Sequence, residues 1–202
     1  MNYPNGKKKT IINIPSSQKT KKANKSHLGI DFEDMINKSN QYYLEKDIAV
    51  IYKKPTPIRI TKVDYPSRNR ARIVEAFYQI PSTTDYNGIY KGRYVDFEAK
   101  SCNGKSFPFT HLYEHQIHHL KKIKEHNGIS FLIILFNDYK EVFILDSNIL
   151  WKLYDESKNG GRKSIPYDYF KQNAIEIKIG YNPVIDYLKA IDRLIEVEYG
   201  NF

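Results

Sequence analysis

Between Thr83 and Lys100 the chain carries an alternation that suits a strand. Tyr94, Asp96, Glu98 and Lys100 fall on one face, and Val95, Phe97 and Ala99 on the other. The residues upstream can return the chain as a partner strand, and two turns compete to do so. Asn87-Gly88 is the stronger dipeptide signal for a type I′ turn, but it would oppose Asp85 to Tyr90 and leave Glu98 far away. Lys91-Gly92 opposes Tyr90 to Arg93, and counting outward sets Asp85 across from Glu98 and Thr83 across from Lys100. It also gives Tyr86, Ile89, Val95 and Phe97 strand surroundings, so Lys91-Gly92 is the turn expected.

Directly opposed side chains have Cβ atoms roughly 4.5–5.5 Å apart. Two carboxylates that close repel unless a cation sits between them or one is protonated. A divalent metal held by Asp85 and Glu98, with Lys100 beside it, accounts for the arrangement economically. An ordinary hairpin with a solvated charged face accounts for composition and register equally well.

The flanking segments set the hairpin in an α/β chain. A helix is expected from about Ile30 to Leu44, with Phe32, Met35, Ile36 and Tyr43 inward and Glu33 in its first turn, where an acid offsets the macrodipole. Ile48–Tyr52 reads as a strand. The run Phe131–Phe136 reads as a buried central strand and is far too short to span a bilayer. A helix from about Thr110 to His126 carries Tyr113, Gln116, Ile117, Leu120 and Ile123 on one face, so Gln116 is an amide on an apolar stripe that needs a partner. Strands near 141–145 and 174–178 and helices near 147–156 and 166–172 follow. A last helix is expected from Asn182 as N-cap and Pro183 as first residue to about Glu198.

Residues 53–80 do not read as core. They hold Pro55, Pro57 and Pro66, and seven basic residues against Asp64 and Glu75 alone. Ile58–Val63 alternates like one strand of an exposed ribbon, and Arg68, Arg70, Arg72, Phe77 and Tyr78 crowd its return. A basic two-stranded projection with aromatics suits nucleic acid; a mobile surface loop is the plainer reading.

The charge is unevenly placed. Of the net +9, residues 1–27 supply seven lysines and no acid, leaving 25 basic and 23 acidic groups on the other 175 residues. A flexible tail of this kind attracts polyanions without reading sequence. The single cysteine, Cys102, excludes an internal disulfide and fits a reducing cytosol, and no signal-peptide core opens the chain. His111-Leu112-Tyr113-Glu114-His115 has the H-x-x-E-H spacing of inverted zinc peptidases, but no third-ligand segment is recognisable, so zinc is not expected. His111, His115, His118 and His119 are expected to be exposed or to face DNA.

Asp85, twelve residues, then Glu98-Ala99-Lys100 fits the Asp…(Asp/Glu)-X-Lys pattern of restriction-endonuclease-like nucleases. The neighbouring text is more specific. Lys53-Lys54-Pro55-Thr56-Pro57, Tyr65-Pro66, Glu75-Ala76-Phe77-Tyr78, Ser82–Gly88 and Val95–Lys100, with the opening Tyr3-Pro4-Asn5-Gly6-Lys7, together resemble the RecU family of Holliday junction resolvases. The chain departs from that family's usual text at Ser26-His27-Leu28-Gly29, Ser67 and Ala76-Phe77-Tyr78.

The resemblance implies an α/β fold with a restriction-endonuclease-like mixed sheet flanked by helices. It implies a nuclease domain over 28–202, with a stalk inserted at about 53–80 that enters the junction. It implies a Mg²⁺ site at Thr83, Asp85, Glu98 and Gln116, with Mn²⁺ as a substitute and Lys100 as transition-state stabiliser. An acid on the first helix, here Glu33, often lies near such a site. The implied partners are four-way junction DNA, a second copy of the chain, a RecA-type recombinase and a RuvB-type branch-migration motor, in the cytoplasm.

Overall fold

In the computed structural model, which describes residues 25–67, 70–79 and 83–199, strands β4 (Tyr86–Tyr90) and β5 (Arg93–Cys102) form the expected hairpin. Tyr90 pairs with Arg93, and the register runs to Tyr86 opposite Phe97. Lys91 and Gly92 both take positive φ, 48° and 74°, as a type I′ turn requires. Gly88 serves a different end. Strand β1 (Val50–Lys53) passes so close that a Cβ on Gly88 would lie 2.0 Å from the Val50 carbonyl oxygen. The Asn87-Gly88 pair is therefore strand interior, where glycine admits a neighbouring backbone.

The main sheet has the order β1-β4-β5-β7-β8-β10, with β7 at Ile129–Phe136, β8 at Glu141–Asp146 and β10 at Ile175–Ile177. It is mixed: β5 and β7 are parallel and the other pairs antiparallel. Every residue of β7 is buried, which is why its sequence is apolar without alternation. Phe131, Ile133 and Leu135 join Val95, Phe97 and Ala99 in a core covered by helices α1 (Lys25–Glu45) and α5 (Tyr187–Tyr199). Leu132, Ile134 and Phe136 enter a second core under α2 (Glu114–Glu125), α3 (Ser147–Lys158) and α4 (Tyr167–Asn173). On the first face the rings of Tyr86, Phe97 and Phe131 stack in sequence across three strands, with centroids 4.9 and 4.8 Å apart. That ladder fixes the register behind the charged face.

Three boundaries differ from the sequence reading. The expected helix 110–126 is a 3-10 turn, Phe109–His111, followed by α2 from Glu114. Short strands β6 (Ser106–Pro108) and β9 (Ser164–Pro166) pair, and Phe109 N–H bonds the Lys163 carbonyl, so the backbone there is already committed. Helix α5 starts at Tyr187 and not at Pro183. Gly180 N–H bonds the Val184 carbonyl and Ile179 bridges Ile185, which closes a turn where the helix was expected to begin. Helix α1 starts at Lys25, so Glu33 lies two turns in and does not compensate its N-terminus.

Strands β2 (Ile58–Asp64) and β3 (Arg72–Tyr78) pair only with each other among the described residues and form the two-stranded ribbon. Gln79 N–H bonds the Pro57 carbonyl at its base. Of the tail, residues 1–24 lie outside the described residues, as does Arg68.

Candidate active site

The charged face of β5 is buried at its centre. Asp96 and Glu98 are both fully buried, while Lys100 is partly open. Helix α2 reaches them from above: Gln116 and His119 share one helix face at i, i+3 and meet β5 residues at i+2 spacing. Gln116 Nε2 donates to Glu98 Oε1 at 2.6 Å, and His119 Nε2 lies 3.1 Å from Asp96 Oδ2.

Glu98 Oε1 also accepts from Lys100 Nζ, whereas Oε2 is buried with no hydrogen-bond partner. Burial pushes the Glu98 carboxyl up to about 7, with Asp85 raising it further against the lowering effect of Lys100. Asp85 lies just past the end of the β4–β5 ladder, with Thr83 two residues earlier. Its position is set by two bonds: Oδ2 accepts the Ala99 N–H at 3.1 Å, and its carbonyl accepts the Lys54 N–H at 2.7 Å. Asp85 thus meets β5 through its own carboxylate, and not through the continued ladder that counting outward supposed.

These residues fit a hard divalent cation. The donors are oxygens, one of them a buried carboxylate oxygen that nothing else satisfies, and two negative groups act on each other. No group of three or more His, Cys, Asp or Glu that could hold a metal occurs among the described residues. Two carboxylates suffice for a metal that keeps several waters, as magnesium does. Gln116 enters the site by donating to Glu98, while its Oε1 accepts the Tyr113 N–H at 3.0 Å, which caps α2, and keeps a second lone pair for another partner.

Glu33 and Lys100 line one open cleft of about 470 Å³ together with His111 and Tyr113. Glu33 also pairs with Lys53 at 2.5 Å. Of the histidines, His111 and His118 are exposed as expected. His115 stacks on Tyr113 with centroids 5.4 Å apart, and His119 turns inward to Asp96. Cys102 is buried, which pushes its thiol up to about 12 and leaves it out of the chemistry.

The ribbon residues stand apart from this cluster. Arg70 and Arg72 are exposed, Arg72 beside Asp64 at 3.3 Å, and Phe77 and Tyr78 are 58% and 85% exposed. The sequence reading missed Asp96, whose carboxylate takes Lys54 Nζ at 2.7 Å, Tyr94 OH at 3.0 Å, His119 and the Thr84 hydroxyl. Burial pushes its carboxyl up, but those hydrogen bonds outweigh it and hold the group below the usual range. The only signal in the sequence was an acid at the centre of the charged face.

A six-stranded mixed sheet clothed by helices on both faces, with a buried glutamate and a lysine on its central strand β5, defines an α/β chain. The model of the family Recombination protein U matches residues 27–193. The Holliday junction resolvase RecU of Oceanobacillus iheyensis is 46% identical over 195 residues, spanning 96% of this chain and 99% of the relative. That of Pediococcus pentosaceus is 44% identical over 196 residues, spanning 96% and 98%. The solved structure of Archaeoglobus fulgidus Hjc, a Holliday junction resolvase, aligns with a TM-score of 0.44 at 10% identity, over 73% of this chain and 95% of that one. At that distance it bears on nothing about the site. The chain belongs to the RecU family.

Proposed function

We propose that this chain is a metal-dependent, structure-selective endonuclease that resolves Holliday junctions by paired symmetric nicks. The observation that carries the chemistry is Glu98: fully buried, with one carboxylate oxygen held by Lys100 and Gln116 and the other unsatisfied beside Asp85. The named resolvase relatives, matching over nearly the full length, carry the choice of substrate.

Asp85 and Glu98 would hold Mg²⁺, or Mn²⁺ in its place, with Thr83 and Gln116 completing the set directly or through water. The bound cation would supply an acidified water and charge neutralisation at the phosphate. Gln116 holds Glu98 in place by donating to it. Lys100 offers a fixed ammonium to negative charge developing on the scissile phosphate. Beside two carboxylates it acts as stabiliser and not as base. Glu33 faces the same cleft and is the accessory acid of the site.

Substrate selection falls to the exposed ribbon, where Arg70, Arg72, Phe77 and Tyr78, together with Arg68 from the sequence between its strands, would meet the branch point. A junction is two-fold symmetric, so two matched nicks call for a C2 homodimer. By family resemblance, a RecA-type recombinase and a RuvB-type motor are the protein partners, in the cytoplasm. No helix among the described residues is long and apolar enough to cross a membrane. Nicking of a four-way junction and of plain duplex, each with and without Mg²⁺, tests the proposal. Equal cutting of duplex would point to a restriction or repair enzyme, and tight binding with no cutting to a DNA-bridging protein.

A further inference from the structure

We infer that Asp96, with Lys54 and Thr84, is a positioning hub that sets the geometry of the metal-binding pair without touching metal or phosphate. The inference rests on the metal-site reading of Asp85 and Glu98.

Three separate segments must converge to build that pair: the turn carrying Asp85, strand β5 carrying Glu98, and helix α2 carrying Gln116. Asp96 is bonded to all three. It lies on β5 two residues before Glu98 and is fully buried. Its Oδ1 accepts the hydroxyl of Thr84, the residue before Asp85. Its Oδ2 accepts Lys54 Nζ at 2.7 Å and contacts His119 of α2 at 3.1 Å, one turn beyond Gln116. Lys54 closes the loop. Its Nζ donates to Thr84 Oγ1 at 2.9 Å, and its backbone N–H donates to the Asp85 carbonyl at 2.7 Å.

The β4–β5 ladder stops at Tyr86 opposite Phe97, so it does not itself hold Asp85. Beyond Tyr86, the Asp85 carboxylate is held by its bond from the Ala99 N–H and by this network. A buried ion pair is a poor source of net stability but a good means of fixing one arrangement. Groups that hydrogen-bond and orient metal ligands typically change metal affinity by about 10–100-fold when removed.

The test uses the full-length protein in four forms: wild type, Thr84→Val, Thr84→Ser and Asp85→Asn. Calorimetric titration with Mg²⁺ is run without DNA, alongside thermal melting and junction binding in chelator. Thr84→Val keeps the shape of the residue and removes its hydroxyl. It should fold, bind junction as wild type does in chelator, and bind Mg²⁺ about 10–100-fold more weakly. Thr84→Ser should restore Mg²⁺ affinity. Wild-type Mg²⁺ affinity in a folded Thr84→Val overturns the hub, and so does loss of folding, which would assign the network to the stability of the fold. Asp85→Asn separates the two readings. If it too keeps wild-type Mg²⁺ affinity, the metal site itself is wrongly placed and the hub falls with it; if it alone loses affinity, only the hub falls.

Discussion

Asp85 accepts a hydrogen bond at 3.1 Å from the backbone N–H of Ala99, the residue between Glu98 and Lys100. One bond therefore ties the first carboxylate to the point from which the second carboxylate and the ammonium both project. Substituting either carboxylate should separate chemistry from binding. Asp85→Asn and Glu98→Gln are expected to abolish cleavage in Mg²⁺ while junction affinity persists, because affinity rests on basic residues elsewhere. Gel-shift and cleavage assays on the same preparations check this, and near wild-type cutting by either variant would remove the assignment.

Lys100→Ala should lower turnover by about 10²–10³-fold or more, the scale for losing a preorganised electrostatic stabiliser. Junction affinity should change little. The measurement is single-turnover cleavage at saturating enzyme. A variant that binds tenfold worse but cuts normally when saturated would make Lys100 a phosphate anchor.

Glu98 gives the metal-free protein a pH dependence. Its carboxyl titrates near 7 in the fold and near its ordinary 4.5 in the unfolded chain. Between those values the folded state holds a proton that the unfolded state has released, so stability falls as pH rises. Melting temperatures in chelator should therefore decline from about pH 5 to pH 7 more steeply in wild type than in Glu98→Gln. Identical slopes would show that Glu98 titrates normally.

The ribbon can be tested by excision, since the Gln79–Pro57 bond brings its two ends together. Replacing residues 58–78 by a short glycine-serine link should cost junction selectivity more than duplex affinity. Stacking on exposed aromatics such as Phe77 and Tyr78 contributes roughly 1–3 kcal/mol per base. An unchanged junction-to-duplex ratio would remove the ribbon from substrate selection.

The hairpin was legible because its information is local: strict alternation from Tyr94 to Lys100 and a turn that accepts positive φ. The burial of β7 was legible as well, from its unbroken apolar run. What stayed hidden depends on distant partners. The break at Leu112-Tyr113 follows from the pairing of Ser106–Pro108 with Ser164–Pro166. The late start of α5 follows from a turn closed between Gly180 and Val184, although Asn182-Pro183 has the local chemistry of a helix start. Asp96 looked like one more solvated charge. Its partners Lys54, Thr84 and His119 come from three other segments, and only the fold collects them.

On the proposed function, the Asp85–Glu98–Lys100 cluster cuts junctions in matched pairs. The most direct measurement maps both nicks on a four-way junction labelled on opposing strands, in Mg²⁺, against a linear duplex of the same sequence. Symmetric nicks are expected on two opposing strands of the junction, with little cutting of the duplex and none of either with chelator or with Glu98→Gln. Unpaired nicks, equal cutting of the duplex, or cutting that survives Glu98→Gln would contradict it.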